Sequence, residues 1–450
     1  MFVKQPVLVA GAGPVGLSLA VALIQKGIPV QVFEELPELS SDLRGAAIHP
    51  PTLEMFSEWG FLDKVLEETV RVTQLQYWER ASRELVANFD YSLISGYTPY
   101  PFRLQLHQRL LTHILKPMVG DSEFGAVHMQ HKIIDFADHG THISVVCETP
   151  DGVRTFQGAY LCGADGARST VRKGLSLQFE GTTYIDRFLM VNTDIDLNLI
   201  FPGIGPAAYI FDPTEWVITM QLPGWRRVVF RVADHEIEEE ITAEASIRER
   251  MAKSLNIDIN FKIVQPQVYR VHQRVASTFH VGRVLLLGDA AHVNNPAGGM
   301  GLNSGIHDVH NLVTKLEAVL AGASDDLLDR YSEQRRAFAM ENVQKRSHSN
   351  YQALSAKDNA SRQARNQELQ AKAAHPELAR QHLLQFSMLG DRIGKIYRIS
   401  ELAKRIGKSS ATLRRWDAEG KLLAKRLPNG HRYYNASDEH KALGIIARAG

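Results

Sequence analysis

At 450 residues, 44% hydrophobic and 22% charged, the chain is able to bury a large core and should divide into two or three domains. A formal net charge of +1 excludes reading partners from the chain as a whole, and only two cysteines, Cys147 and Cys162, exclude a disulfide framework. The charge is unevenly placed, however. Residues 396–450 carry 12 Lys/Arg against 5 Asp/Glu, while the first 395 carry 39 against 45, which marks the last 55 residues as a separate module.

The N-terminus runs straight into an apolar strand and has no secretory pattern. Residues 7–24 are apolar enough to suggest a membrane span, but Gly11, Gly13, Pro14 and Gly16 interrupt them, and a strand–turn–helix accounts for those residues better. A soluble cytoplasmic protein with free buried thiols and no membrane partner is expected. Residues 7–9 read as a buried strand, and Gly11-Ala-Gly13-Pro-Val-Gly16 follows directly. Pro14 suits a first helical turn, and Val15, Leu19, Ala20, Leu23 and Ile24 recur at helical spacing. Gly27 closes that helix, and residues 30–33 form a second strand ending in Glu34. This is a dinucleotide fingerprint in its required context, with glycines for close approach to a pyrophosphate and an acid for a ribose hydroxyl pair.

Arg44 follows, suited equally to a phosphate or to solvent, ahead of a helix over 52–59. Residues 71–100 are strand-like and aromatic, and Gln108 opens a helix with Leu111 and Leu115 on one face. Residues 127–163 read as an antiparallel meander with turns at Asp138-His139-Gly140 and Pro150-Asp151-Gly152. Its histidines, with His113 before it, lack metal-ligand spacing, so no metal site is expected. The strand over 159–163 ends at Asp165-Gly166, just before a basic helix start at Ser169–Arg172. A second antiparallel block covers 184–231, and a charged helix covers roughly 234–254. Gly203-Ile-Gly205-Pro within that block lacks both a third glycine and a preceding strand, and is no second nucleotide site.

Residues 284–287 form another short strand, stopped by Gly288-Asp289 and followed by a loop with Pro296, Gly298, Gly299 and Gly301. A helical pattern resumes at Leu302, headed by Asn303 and Ser304. Strand, acid, glycine loop and helix start together suit a large polyanionic ligand.

These three spaced motifs resemble the signatures of class A FAD-dependent aromatic monooxygenases, the p-hydroxybenzoate hydroxylase type. Tyr100-Pro101-Phe102 to Gln108, and Gly299–Asp308, are most similar to the phenol and hydroxyphenylpropionate hydroxylase branch. The resemblance covers about residues 1–350. It implies an α/β fold in which a Rossmann-like FAD-binding domain of the GR2 type (about 1–70, 101–180 and 275–350) interleaves with an antiparallel-sheet substrate domain (about 71–100 and 181–274). It implies hydroxylation of a phenolic substrate with FAD, NADH or NADPH, and O2, through a flavin C4a-hydroperoxide. Gly11, Gly13 and Gly16 would cradle the pyrophosphate, and Glu34 would hold the adenosine ribose. Arg44 and Gln108 would contact the ribityl-phosphate chain, Asp165 and Gly166 both FAD and the nicotinamide cofactor, and Asp289 the middle of FAD. Pro296, Gly298, Gly299, Met300, Gly301, Leu302 and Asn303 would border the isoalloxazine ring, with Pro296 and Gly298 nearest the reacting oxygen. The substrate would lie under the antiparallel sheet near 184–220, with Tyr184, Tyr209 or a water chain as candidate bases. Glu35 stands where the family often has Lys or Arg, which bears on the adenosine contacts only.

Residues 351–395 read as a helical linker, a solvated helix or interaction arm, with no thioredoxin-like domain. From 396 the text changes. A helix over 401–406, Gly407, Ser409 as cap of a second helix over 410–419, and strands flanking Pro428-Asn429-Gly430 make a helix–turn–helix with a wing. This resembles MerR-type regulators and excisionase modules. The resemblance implies that Thr412, Arg414 and Arg415 reach double-stranded DNA from the second helix, and Lys425, Arg426 and Arg432 from the wing. The long dimerisation helix of MerR-type regulators is missing, so a homodimer would be built by the flavoprotein part. Two functions are therefore in play, an aromatic hydroxylase with a DNA-binding tail and a flavin-containing regulator sensing an aromatic ligand or redox state.

Overall fold

The computed structural model describes residues 5–40, 45–212, 216–255, 260–295, 298–344, 359–390, 397–426, 432–434, 438–439, 441–443 and 445. A six-stranded sheet holds the nucleotide fingerprint, in the order His280–Val281, Val284–Leu286, Tyr160–Gly163, Val7–Ala10, Val30–Phe33 and Gly125–His128. Val7 pairs in parallel with both Val30 and Tyr160, and Leu161 with Val284. Strands covered on both faces read as unbroken apolar runs, and Val7, Leu8, Val9, Leu161 and Leu285 have no exposed surface. Each such side chain contributes about 1.5–3 kcal/mol of burial. The helices Pro14–Ile24, Gln108–Gly120 and Gly301–Leu320 share this core.

The meander expected over 127–163 is shorter than its sequence pattern. Only Lys132–Asp138, Ile143–Thr149 and Gly152–Gly158 form an antiparallel ribbon, while Gly125–His128 and Tyr160–Gly163 join the parallel sheet. The distinction lies in burial. The strand before Asp165 is buried at all four positions, whereas Gly152–Gly158 is mostly exposed.

An eight-stranded sheet forms the second layer system, with its longest strands, Phe179–Thr193 and Ile263–Ala276, paired antiparallel. Both of its faces are apolar. Leu189, Val191, Val228 and Phe230 pack toward the helix Glu244–Leu255, and Tyr77, Tyr209, Phe211 and Val229 face the other way. That second face is covered by the helices Asn359–Ala374 and Pro376–Phe386, through Leu369, Leu383, Leu384, Phe386 and Leu389. The described part of 351–395 is therefore not a solvated arm. Its polar composition conceals a stripe of leucines, and its arginines turn inward: Arg362 and Arg365 both pair with Glu79, and Arg365 lies 3.4 Å over the Phe211 ring.

The C-terminal module has a core of Leu402, Ile406, Leu413, Trp416, Leu422, Tyr434 and Leu443, which also takes in Ala318 and Leu327 of the body. Gln334 donates to Glu439 at 3.0 Å, and Arg405 donates to the same carboxylate at 3.1 Å. Helices Ile399–Arg405 and Ser410–Ala418 and the short strands Lys425–Arg426 and Arg432–Tyr434 form the helix–turn–helix and wing.

Glu79 holds two guanidinium groups at a largely buried site, so Glu79→Gln should weaken docking of the 359–390 helices by about 2 kcal/mol or more. Hydrogen exchange read across those helices should speed up in the variant. Unchanged protection would return the segment to a loosely attached arm.

Candidate functional site

Parallel pairing brings the carboxyl ends of four strands to one edge of the six-stranded sheet. The residues just past them stand in the spatial order Asp289, Asp165, Gly11 and Glu34, although they span 279 positions in sequence. A parallel sheet opens its ligand crevice at such an edge. All four line a cavity of about 1500 Å³ that runs on beneath the eight-stranded sheet.

The glycines divide by role. Gly11 has φ +97°, and a Cβ there would meet the Ala164 carbonyl oxygen at 2.7 Å. A Cβ on Gly16 would fall 2.0 Å from the Gly11 oxygen. Both are thus required by protein packing. Gly13 has nothing within 4 Å of its missing Cβ and lines the cavity, so the space it leaves is for a ligand. Gly13 also begins the Pro14–Ile24 helix without a side-chain cap, leaving first-turn amides available.

Glu34 accepts from the Ala12 amide at 2.8 Å and from the Leu36 amide at 3.1 Å, which holds the glycine loop against the second strand. One oxygen of Asp165 accepts from the Thr170 and Val171 amides, and the other, Oδ1, is buried without a partner in the cavity wall. Arg172 donates to the Ala290 and Ala167 carbonyls and lies 3.8 Å over the Phe179 ring, bolting the Asp165 loop to the Asp289 turn. Asp289 itself is exposed to the cavity.

Gly298, Gly299, Gly301 and Leu302 line the cavity as expected from their positions, and so do Gln108 and Gly166. Met300 and Asn303 differ. Met300 packs with Val343 and Met388, and Asn303 has no exposed surface. The Asn303 amide accepts from the His49 amide and the Thr52 hydroxyl, and donates to the Ala47 and Gly299 carbonyls. It clamps the loop from behind rather than facing a ligand. Arg44 and Pro296 lie outside the described residues.

Sequence reasoning missed the side chains beneath that loop. The ring nitrogen Nε2 of His49 donates to the Gly298 carbonyl at 2.9 Å, an assignment forced because a carbonyl only accepts. Burial, helped by the Arg103 charge, pushes its pKa down to about 3, so the imidazole is neutral at pH 7. Arg103 and Gln105 project from the strand Arg103–His107 into the cavity wall, together with Tyr209, Trp216, Ile218 and Met220. Burial pushes the Tyr209 phenol up to about 12 and raises that of Tyr184, which donates to Gln273 at 2.7 Å. Both stay protonated at neutral pH, which counts against either tyrosine as a ready-made base.

Histidines of the ribbon region pack on rings: His128 and His131 lie against Phe33 and Phe156, and His139 stacks on His142. In the C-terminal module Ser409 caps the second helix by accepting from the Thr412 amide, and its hydroxyl also meets that of Thr412. Arg414 and Arg415 are exposed beside the inward-facing Leu413 and Trp416. Arg432 pairs with Asp417 at 2.7 Å, tying wing to helix. The side chains of Lys425 and Arg426 lie outside the described residues. Among those residues no helix is long and apolar enough to cross a membrane.

Residues 4–346 match the family model "FAD binding domain", and residues 398–434 match "MerR family regulatory protein". The chain is 31% identical over 396 residues to para-nitrophenol 4-monooxygenase of Pseudomonas sp. strain WBC-3, covering 86% of this chain and 96% of that one. It is 32% identical over 346 residues to a 3-(3-hydroxy-phenyl)propionate/3-hydroxycinnamic acid hydroxylase of Mycolicibacterium gilvum, covering 74% of this chain and 57% of that one. The crystal structure of p-nitrophenol 4-monooxygenase from Pseudomonas putida DLL-E4 superposes with a TM-score of 0.80 at 30% identity, covering 86% of this chain and 98% of that one. With the nucleotide motifs on one sheet edge and the cavity running from them into an aromatic chamber, the chain belongs to the FAD-dependent aromatic monooxygenases and carries a MerR-family segment at its C-terminal end.

Proposed function

We propose that the protein hydroxylates a phenolic ring with NADH or NADPH and O2, and that its C-terminal module binds double-stranded DNA. The observation that carries the first part is the continuous cavity from Glu34, Gly13, Asp165 and Asp289 to the chamber of Tyr209, Trp216, Ile218 and Met220. The residues present fit FAD: an open cradle at Gly13, an orphaned carboxylate oxygen on Asp165, and an uncapped helix start at each end of the expected ligand. When bound, FAD supplies electron transfer from the nicotinamide and activation of oxygen.

The protein's own part is binding, orientation and exclusion of water. Amides around Gly13 hold the pyrophosphate, Glu34 the adenosine ribose, and Asp289, Gln108 and Arg44 the middle of the cofactor. Gly298, Gly299, Gly301 and Leu302 form the wall beside the ring, with Pro296 assigned there on its motif alone. The Gly301–Leu320 helix starts without a side-chain cap, so its amides and dipole favour negative charge on the reduced ring. His49, neutral and bound to Gly298, keeps this wall in place. Met300 and Asn303 support the wall from the protein side. The FAD-binding and substrate domains follow the division about 1–70, 101–180 and 275–350 against 71–100 and 181–274, with 359–390 as the outer layer of the latter. Two buried free thiols suit a reducing, cytoplasmic setting. A homodimer would present two winged helices to one duplex.

Arg414 and Arg415 carry the second part, both exposed on the module's second helix, where Arg415 also lies 3.7 Å from Glu419. One observation also favours a sensing role. The winged-helix core includes Ala318 and Leu327, so it rests on the helix that begins at the flavin wall. Flavin- or ligand-dependent DNA affinity without turnover would mark that reading.

Mass spectrometry of products from a panel of phenols should find an added oxygen, formed only with NADH or NADPH and with phenol-stimulated cofactor oxidation. A protein that binds no FAD would sink the reading. Glu34→Ala should weaken FAD binding by roughly ten- to a hundredfold in a fluorescence titration, since charge-assisted hydrogen bonds are removed. Arg414→Ala with Arg415→Ala should lower duplex affinity and flatten its salt dependence by on the order of one unit of slope per arginine. An unaltered salt slope would take those two side chains off the DNA.

A further inference from the structure

A primary amine is buried at the joint between the body and the C-terminal module, with no acid of its own. Lys315 is 3% exposed and precedes Ala318 by three positions on the helix Gly301–Leu320. Residues three and four apart share a helix face. Lys315 therefore lies on the side of Ala318 and Val319, the side that packs into the module's core. Its Nζ donates to the Asn311 carbonyl at 3.1 Å and to Asn311 Oδ1 at 2.7 Å, both on its own helix. Among the described residues no carboxylate is within ion-pair distance of it.

The charges that act on this amine come from both sides of the joint. The module contributes Arg405 and Glu439, and the helix Asp326–Phe338 contributes Arg330 and Arg335. Glu439 is the one carboxylate among them, and Arg405 and Gln334 already donate to it. Arg335 is committed to Asp308, and Arg330 keeps a buried Nη1 without a hydrogen-bond partner. Acids close by in sequence are turned elsewhere, Glu317 to Lys26, Asp325 to Tyr160 and Asp329 to His280. A lysine placed here loses its hydration and meets a surplus of like charge, and both disfavour its protonated form. Burial is the largest cause, Glu439 works against it and the three arginines add to it, and the pKa comes down from the usual 10.5 to about 7. Tyr397 is pushed up to about 12, by burial first and then by Glu439, so it keeps its proton across that range.

We propose that the joint is a proton-operated latch, in which Lys315 lets the winged-helix module rest on the body while its amine is neutral and loosens it on taking up a proton. Release returns the amine to water and takes Arg405 away from it, so the charged form prefers the released state. With the module released, Lys315 regains its ordinary pKa of about 10.5. Between about 7 and 10.5 the released state therefore holds one proton more than the docked state, and docking tightens as pH rises, by up to about tenfold per pH unit. Below that window the amine is charged in both states, and docking no longer responds to pH through it. The latch operates whatever either unit binds.

The test uses the full-length protein loaded with FAD and carrying a reporter thiol in the joint, Ala318→Cys or, separately, Leu327→Cys. Ala318 and Leu327 are 2% and 7% exposed, so a thiol there reacts only when the joint opens. Labelling by N-ethylmaleimide is followed by mass spectrometry from pH 5.5 to 9, and protection is the rate relative to a free peptide of the same sequence, which removes the titration of the thiol itself. Cys162, with no exposed surface in the body core, reports opening of the whole body. With Lys315 present, protection should be flat up to about pH 6.5 and then climb by up to about tenfold per unit, on the order of a hundredfold by pH 9, while Cys162 stays unlabelled. Lys315→Met should be better protected at pH 7 and insensitive to pH, and Lys315→Arg poorly protected at every pH. Glu439→Gln removes the charge that favours the protonated amine, so the climb should begin at lower pH. A climb that persists in Lys315→Met overturns the latch. So does a flat profile with Lys315 present, including one in which neither reporter reacts at any pH, and so does labelling of Cys162 in step with the reporters. Should Lys315→Met fail to bind FAD, Glu439→Gln decides: an onset unmoved from that of the parent overturns the latch.

Discussion

A carboxylate with no access to water holds the two ends of the site in register. Asp308, in the Gly301–Leu320 helix, accepts from the Gly288 amide at 3.0 Å and from His292 Nε2 at 2.8 Å, and its other oxygen takes the Arg335 guanidinium. Arg335 in turn reaches the Ser304 carbonyl. Desolvation alone would drive this carboxyl toward its neutral form; His292 and Arg335 outweigh it and hold the pKa below the usual carboxylate value. One buried anion thus joins the turn that presents Asp289, the short strand His292–Val293 that enters the large sheet, and the helix that starts at the ring wall. Removing such an anion would leave a cation buried alone, at about 3–5 kcal/mol.

The two ends of the cavity differ in their lining. Its sheet-edge end presents Glu34, Asp165 and Asp289, suited to hydroxyl groups and backed by helix amides for phosphate. Its far end presents Arg103, Arg227 and Arg270 beside Tyr209, Tyr269, Phe188 and Trp216.

The nucleotide half was legible because its signals are local. A glycine turn between strand and helix, and an acid at a strand end, need only neighbouring residues to be recognised, and parallel pairing then places Gly11, Asp165 and Asp289 on one edge. The far half was obscure for the opposite reason. His49, Arg103 and Phe386 become neighbours only through pairing of residues 45–48 with 104–107 and through a helix nearly 300 positions later. The 359–390 helices were misread because leucines at Leu369, Leu383 and Leu384 are sparse among polar residues, and because Arg362 and Arg365 count as solvated until Glu79 is seen beneath them. Met300 and Asn303 sit correctly in the wall loop but with side chains reversed, a matter of loop conformation that motif spacing does not encode.

The core shared by Ala318 and Leu327 with Leu402, Leu413 and Trp416 makes the fusion point a covalent boundary without being a thermodynamic one. A tail joined by a tether alone would melt independently. This one is built over the ends of two body helices, with Glu439 bridging Gln334 and Arg405. Body and tail therefore share packed surface, and cutting the chain before Tyr397 would uncover Ala318 and Leu327 on the enzyme. Substitutions that loosen either unit therefore act on one common patch of packing.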